Sequence, residues 1–294
     1  MATRNITTKI QMRQDTAANW ESKNPILLSG EIGYDITYKK SKQGDGVTPW
    51  NSLPYMFVDI DEVLTIVAAK VGGLNATSWE DIVKIADKGA ASKIFAIGDE
   101  KTITLTTSEE VTIIILGFNH DTKTSGGLAN ITFGMKNLIA TKYPMNSSGT
   151  NAGGWNSSIM RTSTMQTLKS LLPTDLQTII KPVNKKTSAG NQSSSIQTTS
   201  DSLFLLSEIE IFGINTNSKA GEGTQYKYYS DIANTAESRI KYLSNGAGAA
   251  EQYWERSPTG NNSTHFCTVT VGGSANAASA LASYTRGVSF GFCI

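Results

Sequence analysis

Apolar residues in this chain come in short bursts, and the longest aliphatic stretch, Val111 to Leu116, is only strand-sized. A membrane helix needs about 20 consecutive apolar residues, so membrane insertion is not expected and the core has to be assembled from many short elements. The spacers between the bursts narrow the choice further. Charged residues make up 17% of the 294 positions, and Asn, Ser, Thr and Gly fill the second half instead. Its surface is therefore built from small neutral hydrogen-bonding groups, a mix shared by extracellular β-rich proteins, adaptable binding surfaces and plain loop-rich folds. A net charge of +1 offers no basic field for a phosphate backbone, which argues against nucleic acid as a partner. The first residues, MATRNITTKIQMRQD, lack the apolar core of a signal peptide, so synthesis and folding in a cytoplasm are expected. Cys267 and Cys293 are too few for a disulfide framework, and that compartment favours a pair of buried thiols over a bond.

The chain divides into three consecutive zones. In the first, residues 1–55, Ile6, Thr8, Ile10 and Met12 alternate with other residues as in a half-buried strand. Asp15-Thr-Ala-Ala-Asn-Trp20 predicts a capped helical turn, Gly30 to Tyr38 a strand, and Gly44-Asp-Gly46 a turn. In the second, residues 56–76, Ile60, Val63, Leu64, Val67 and Val71 fall at helical spacing. Asp59, Asp61 and Glu62 lie in the first turn and Gly72-Gly73 at the end. This connecting helix either packs on its own domain or lines a three-stranded coil along a trimer axis; two heptads do not decide.

The third zone, residues 77–294, opens with a capping-box-like Ser78-Trp-Glu-Asp81 and a helix over Trp79 to Asp87, with Trp79, Ile82, Val83 and Ala86 on its apolar face. A hairpin joins Lys101–Thr106 to Val111–Phe118. A second helix carries Met165, Leu168, Leu171 and Leu172, capped by Ser163 and stopped by Pro173. Asp201 to Leu206 predicts a strand leading into Ser207 to Phe212. Short strands at Tyr253-Trp254, Phe266–Val271 and Val288–Phe292 alternate with Gly/Ser/Asn-rich loops. Helices followed by many short strands make the chain α+β.

The string IQMRQDTAANWESKNPILLSGEIGYDITYKKSKQGDGVTPWNSLPY resembles the N-terminal module of phage tail fibres of the major tropism determinant type. The matching landmarks are the basic strand, the D-T-A-A-x-W turn, L-x-x-G-E-I-G-Y and G-D-G-x-T-x-W-N-x-L-P-Y. The Tyr38-Lys-Lys-Ser-Lys-Gln43 stretch departs from the pattern in being more basic. The resemblance implies a small β-rich module that trimerises and joins other tail proteins, and with it a place in the virion tail fibre.

Farther on, SWEDIVKIADKG, IGDEKTITL, TIIILGFNHD, GGWNSSIMR, LLPTDLQTIIKPVNKKT, DSLFLLSEIEIFG, YWERSP and GVSFGFCI resemble a phage and bacterial domain family of the C-type-lectin-like superfold, related in fold to the formylglycine-generating enzymes. The ending further resembles the variable proteins of diversity-generating retroelements, in which template adenines are mutagenised and Asn codons scatter. Asn codons of the AAC or AAT type do not reach Lys, Glu, Gln, Met or Trp, and residues 261–286 contain none of these five. A low-complexity polar loop would also be sparse in them. The resemblance implies a ligand-binding face made by Asn261, Asn262, Ser263, Thr264, His265, Thr268, Thr270, Ser274, Asn276, Ser279, Leu281, Tyr284, Thr285 and Arg286. Beneath it Phe266, Val269, Val271, Val288, Phe290 and Phe292 are expected to be buried. The partner implied is a bacterial surface protein or glycan, met noncovalently by a homotrimer.

The chain is not expected to be an enzyme. No phosphate-binding glycine loop or nucleophile elbow is present. Cys267 and Cys293 sit in apolar strand contexts that suit inert thiols rather than oxidative or metal chemistry. His120 with Asn119 and Asp121 suits either a metal site or a turn after a strand; two histidines argue against His-based zinc. Trp155 either stacks on a sugar or anchors a loop in the core. No cofactor is expected. A structural tail protein with no dedicated ligand is the rival to the binder.

Overall fold

A computed structural model describes residues 12–56, 60–246, 248–278 and 280–294. Ile6, Thr8, Ile10, Asp59 and Ser279, for which the sequence raises expectations, lie outside the described residues. The chain forms two compact units, residues 1–65 and 66–294.

In the first unit β1 (Arg13–Asp15) pairs in parallel with β2 (Ile32–Asp35), which pairs antiparallel with β3 (Lys40–Gln43). Between β1 and β2 lies α1 (Ala17–Lys23), started by the Thr16 hydroxyl, which accepts from the Asn19 N–H at 3.3 Å. The core is small: Trp20, Leu27, Trp50 and Leu53, with the two indoles stacked at 4.0 Å. Gly33 makes that stack possible, because a Cβ there would lie 2.6 Å from the Trp50 ring. Within the unusually basic stretch, Lys42 is buried. Its ammonium donates to the Trp50 carbonyl at 2.8 Å and lies over the rings of Trp50 and Tyr55.

The connecting helix α2 (Ile60–Ala76) is broken at Gly73, whose φ of 70° is left-handed, as the glycine pair predicts. The second unit's core takes Ala69 and Leu74 from it, with Ile66 half-buried alongside, whereas Val63, Val67 and Val71 are exposed.

The second unit is α+β. Its main sheet is five-stranded and antiparallel throughout, in the order β4 (Glu100–Thr104), β5 (Glu110–Phe118), β6 (Ile131–Met135), β13 (Phe290–Cys293), β9 (Leu203–Leu205). The last strand of the chain thus lies inside the sheet. At its centre Gly291 faces Gly134 on one side and Phe204 on the other. A Cβ on Gly291 would come within 2.9 Å of the Phe204 ring, so the glycine lets that ring cross the strand. Against the sheet packs α3 (Trp79–Asp87), with the Ser78 hydroxyl accepting from the Asp81 N–H at 3.1 Å. Trp79 meets Phe133 and Phe292 edge-on, and those two rings stack at 5.2 Å. Ile85, rather than Val83, completes the buried face of α3.

Short helices α4 (Ala91–Ile94), α5 (Gly154–Ser157), α6 (Met165–Leu171), α7 (Thr174–Ile179), α8 (Glu208–Phe212) and α9 (Lys227–Asp231) fill the connections. The α6 cap is not Ser163. The helical path begins earlier, through a π-helical stretch Met160–Thr164, and the Ser158 hydroxyl accepts from the Arg161 N–H at 3.2 Å. Residues 207–212, which alternate like a strand, form α8 instead, because Ser207 and Glu210 make a reciprocal capping box. A hairpin of β7 (Val183–Ser188) and β8 (Ile196–Asp201), and a three-stranded sheet in the order β10 (Tyr253–Pro258), β11 (Phe266–Val269), β12 (Ala275–Asn276), complete the unit.

A chain of buried charges joins these elements. Arg256 on β10, fully buried, makes a bidentate pair with Glu210 on α8 and donates to the carbonyls of Leu205 and Glu222. Glu210 also meets Lys185 on β7 at 2.7 Å, and Lys185 meets Asp121 at 2.7 Å and the Tyr226 hydroxyl at 2.9 Å. Burial pushes the Asp121 carboxyl up, but Lys185, Thr132 and Tyr226 outweigh it and hold the group below the usual carboxylate range. The same balance, with Arg256 and Lys185 as the cations, keeps Glu210 ionised.

Lys241 stands outside that pairing. Its ammonium is buried, donates to the Met135 carbonyl and, at 3.1 Å, to the Ser289 hydroxyl, and is pushed down to about 7 by burial. The unfolded chain, with an ordinary lysine near pKa ~10.4, therefore binds more protons than the folded one between about pH 7 and 10. This group makes stability rise with pH through that window. Lys241→Met removes the contribution. In urea titrations at several pH values, the variant's stability relative to wild type should be highest near neutrality and fall steadily as pH is raised through that window; a difference independent of pH would contradict the assignment.

Candidate functional site

The segment from Thr259 to Arg286 crosses one end of the second unit as three loops held by short pieces of strand. β11 is the middle strand of its sheet, and its four side chains are buried. On one side it pairs with β10, all six of whose residues are buried. On the other it pairs with β12 through Thr268–Asn276 and Val269–Ala275. Residues 270–274 form a tight turn in which the Thr270 N–H donates to the Ser274 carbonyl at 2.8 Å and the Gly273 N–H to the Thr270 carbonyl at 2.9 Å. The third loop returns alongside the first: the Ala282 N–H donates to the Thr264 carbonyl at 2.9 Å, the Phe266 N–H to the Ala280 carbonyl at 3.2 Å, and Tyr143 and Arg286 exchange both backbone bonds at 3.1 Å.

Side chains from elsewhere pin this backbone. Asn151, fully buried, donates through Nδ2 to the carbonyls of Asn262 and His265 at 2.8 and 2.7 Å, and its Oδ1 accepts from the Asn191 N–H at 2.7 Å. One amide thus ties the first loop to the β7–β8 turn. The approach requires Gly190, with φ 69°, where a Cβ would lie 1.7 Å from the Asn151 carbonyl oxygen. At the second loop the Arg239 Nε donates to the Gly273 carbonyl at 3.1 Å. At the third, the Trp254 indole N–H donates at 2.7 Å to the same Tyr143 residue that pairs with Arg286. Beneath them Glu208, fully buried, accepts from the backbone and side chains of Asn217 and Ser218. Glu255, also fully buried, has no hydrogen-bond partner for either oxygen, and burial together with Glu208 and Glu222 pushes its carboxyl well up, so it is protonated.

Most of the anticipated face reaches solvent. Asn261, Ser274, Tyr284 and Thr285 are exposed; Asn262, Ser263, Thr264, His265, Thr270, Asn276, Leu281 and Arg286 are half-buried. The Arg286 guanidinium lies 5.3 Å over the Tyr284 ring, forming the bulkiest feature. Several half-buried members also serve the loop itself: the Asn262 Oδ1 accepts from the N–H and hydroxyl of Thr264, and that hydroxyl reaches His265 Nδ1 at 2.7 Å. Two expectations are corrected. Thr268 does not face outward; it is fully buried because β12 and the Gln252 amide, which donates to its hydroxyl at 2.7 Å, cover it. Val271 is not buried but 54% exposed, since it lies beyond the last residue of β11 and begins the turn. Phe266, Val269, Val288, Phe290 and Phe292 are buried as anticipated.

The other candidates resolve simply. Trp155 is fully buried and donates to Asp201 at 2.9 Å, so it is a core anchor and no sugar platform. His120 lies in the turn after β5, its ring 4.2 Å from that of Tyr226 and tilted by 34°. Among the described residues no group of three or more His, Cys, Asp or Glu side chains could hold a metal ion. Cys267 and Cys293 are free and buried, and burial raises both thiols well above their ordinary range, which keeps them protonated. Asn151, Glu208, Gln252 and Arg239 are not evident from the sequence, and only the glycine-rich Gly149-Thr-Asn-Ala-Gly-Gly154 around the first of them hints at a close backbone approach.

Two family models match parts of the chain. Residues 10–48 match the model of the major tropism determinant N-terminal domain, and residues 130–294 match that of a domain of unknown function (DUF6273). No curated protein matches. Among solved structures a hyaluronidase trimer in complex with ascorbic acid is 27% identical over 30% of this chain and 26% of its own, with a TM-score of 0.20. This chain thus spans about a quarter of that one, and the superposition is too poor to relate the folds.

Two substitutions test the support of the loops. Asn151→Ala removes the amide donor from the carbonyls of Asn262 and His265, which keep only Thr259, and the acceptor from the Asn191 N–H. It should cost about 1–3 kcal/mol, with faster amide exchange concentrated in residues 259–265. Arg256→Leu leaves Lys185 alone to balance Glu210 and Asp121 in the core and should cost about 3–5 kcal/mol, with loss of cooperative unfolding across the whole second unit. Equal and local effects of the two in hydrogen-exchange mass spectrometry would contradict this division.

Proposed function

The chain belongs, through residues 130–294, to the family described as domain of unknown function DUF6273, and we propose that in this member the domain is a C-type-lectin-like display platform whose loops 261–286 bind a bacterial surface ligand. The N-terminal module, with its match to the major tropism determinant N-terminal domain, gives the chain a role in phage tropism. On this proposal it is the tip of a tail fibre, attached and trimerised through that module, with recognition noncovalent and no catalytic step.

The observation that carries the proposal is the contrast within residues 261–286. The backbone is pinned by groups outside the segment, notably Asn151 and Arg239, while Asn261, Ser274, Tyr284 and Thr285 project into solvent without supporting the fold. Substitution at such positions costs little stability, so their identity is free to be set by a partner. Tyr284 and Arg286 supply the kinds of side chain that dominate binding energy at interfaces, and the small residues around them supply hydrogen bonds without ordering cost. The exposed Val63, Val67 and Val71 on α2 suit a three-stranded seam, and three copies would multiply weak single sites. Cys267 and Cys293 lie in different sheets as free thiols, which removes the disulfide that a purely structural role for this end would favour.

The test is adsorption. Tyr284→Ala with Arg286→Ala should leave the thermal midpoint unchanged and reduce binding of the protein to susceptible bacterial cells by about tenfold or more. Unchanged adsorption by a folded double variant would refute the variable face as the binding site.

A further inference from the structure

Away from those loops, β5 carries a register shift against β6 between Ile115 and Gly117. Such a bulge bends a strand and re-aims the residues beyond it. Here the chain continues through Phe118, a left-handed Asn119 with φ 50°, and His120. Two open cavities flank this point, of about 590 and 660 Å³, both lined by His120 and Thr224. Each falls in the size range of small-molecule sites, and neither shares a residue with 261–286. The larger is floored by Asp121, Lys185 and Glu210, members of the buried charge network.

We propose that this paired cleft is a second binding site, for a neutral saccharide. The reason lies in which groups are already committed. An anion is disfavoured: Lys185 is held by Asp121 and Glu210, Lys227 pairs with Asp231, and Lys186, exposed in the lining of the larger lobe, stands beside the Asp121 and Glu210 carboxylates, which repel negative charge. A cation finds its acceptors taken: both Asp121 oxygens accept from Lys185, Thr132 and Tyr226, and both Glu210 oxygens from Arg256. Lys186 apart, the remaining polar lining is mostly uncharged hydroxyls and amides, with Asn119 and Ser92 in one lobe and Thr122, Asn184 and Thr198 in the other. Phe118 and Ile97 supply an apolar wall in the first lobe. Neutral donors and acceptors beside an apolar wall match the hydroxyl-bearing edge and C–H face of a sugar ring. Two lobes meeting at His120 and Thr224 suit a ligand of two or more linked rings. The charged floor is rigid because it is part of the core, so the cleft is preformed.

The experiment is saturation-transfer NMR on the full chain with glucose, galactose, mannose, N-acetylglucosamine, maltose, lactose and chitobiose as probes, and inorganic phosphate as the anionic control by phosphorus relaxation. Thr224 is exposed, so Thr224→Trp fills the junction of the lobes without disturbing the core; His120→Ala is the second variant. At least one saccharide should bind wild type, a disaccharide more tightly than its monosaccharide. Binding should weaken about tenfold in both variants and persist in the Tyr284→Ala, Arg286→Ala protein. No transfer from any saccharide, transfer that survives Thr224→Trp, or phosphate binding lost in that variant would overturn the neutral-saccharide site. Saccharide binding lost only with Tyr284 and Arg286 would also overturn it, and would assign the sugar to the variable loops. Adsorption to cells by the Tyr284, Arg286 double variant is independent of the outcomes with Thr224→Trp and His120→Ala.

Discussion

The pairing of Arg256 with Glu210 is the interaction on which the second unit depends. A guanidinium with no exposure to water is tolerable only if each donor is met, and its partners come from β7, β9, α8 and the segment around Glu222. Satisfying one side chain therefore fixes four stretches of chain relative to β10. Through Glu210 the constraint passes to Lys185 and Asp121, and through Asp121 to Thr132 on β6 in the main sheet. Replacing either partner alone leaves the buried network with one charge in excess, so the network is satisfied as a whole or fails as a whole.

The loops of 261–286 inherit this rigidity without contributing to it. β10 is fully buried because it carries the network, and β11 lies against it, so the first loop starts and ends on fixed backbone. Asn151 and Arg239 then reach loop backbone from outside the segment, and Trp254 holds Tyr143, whose backbone pairs with that of Arg286. Such backbone contacts do not depend on which side chains the loop carries. This separation of support from display lets one surface vary while the fold stays the same, as in other loop-bearing scaffolds. Glu255 shows the cost of the arrangement: a carboxyl without a partner under the sheet, kept neutral by burial and by its acidic neighbours.

Local signals are legible where chain chemistry acts over a few residues. The Ser78 cap of α3, the alternation of the β4–β5 hairpin and the glycine break in α2 all come from near neighbours. Residues 207–212 show local signals in competition, since Ile209 and Ile211 alternate like a strand but the Ser207–Glu210 capping box makes them helical. The resemblance to variable proteins points Thr268 outward, whereas a middle strand with covering side chains on both sides has no outward face. Arg256 and Lys185 are illegible as core residues, because composition places charges on the surface and only tertiary partners reverse that. Most of the anticipated face comes from codon chemistry and flanking motifs rather than from periodicity, and Asn151, which holds it, is remote in sequence.

Within 261–286 the fold fixes some positions and leaves others to a partner. Deep sequencing of this coding region in a propagated population measures that division directly, codon by codon. Substitutions should accumulate at Asn261 to His265, Thr270, Ser274, Asn276, Leu281 and Tyr284 to Arg286, while Phe266, Cys267, Thr268, Val269, Ala280 and Ala282, all buried, stay fixed. Substitutions spread evenly over buried and exposed codons, or confined to codons outside the segment, would contradict a display surface at this end of the molecule.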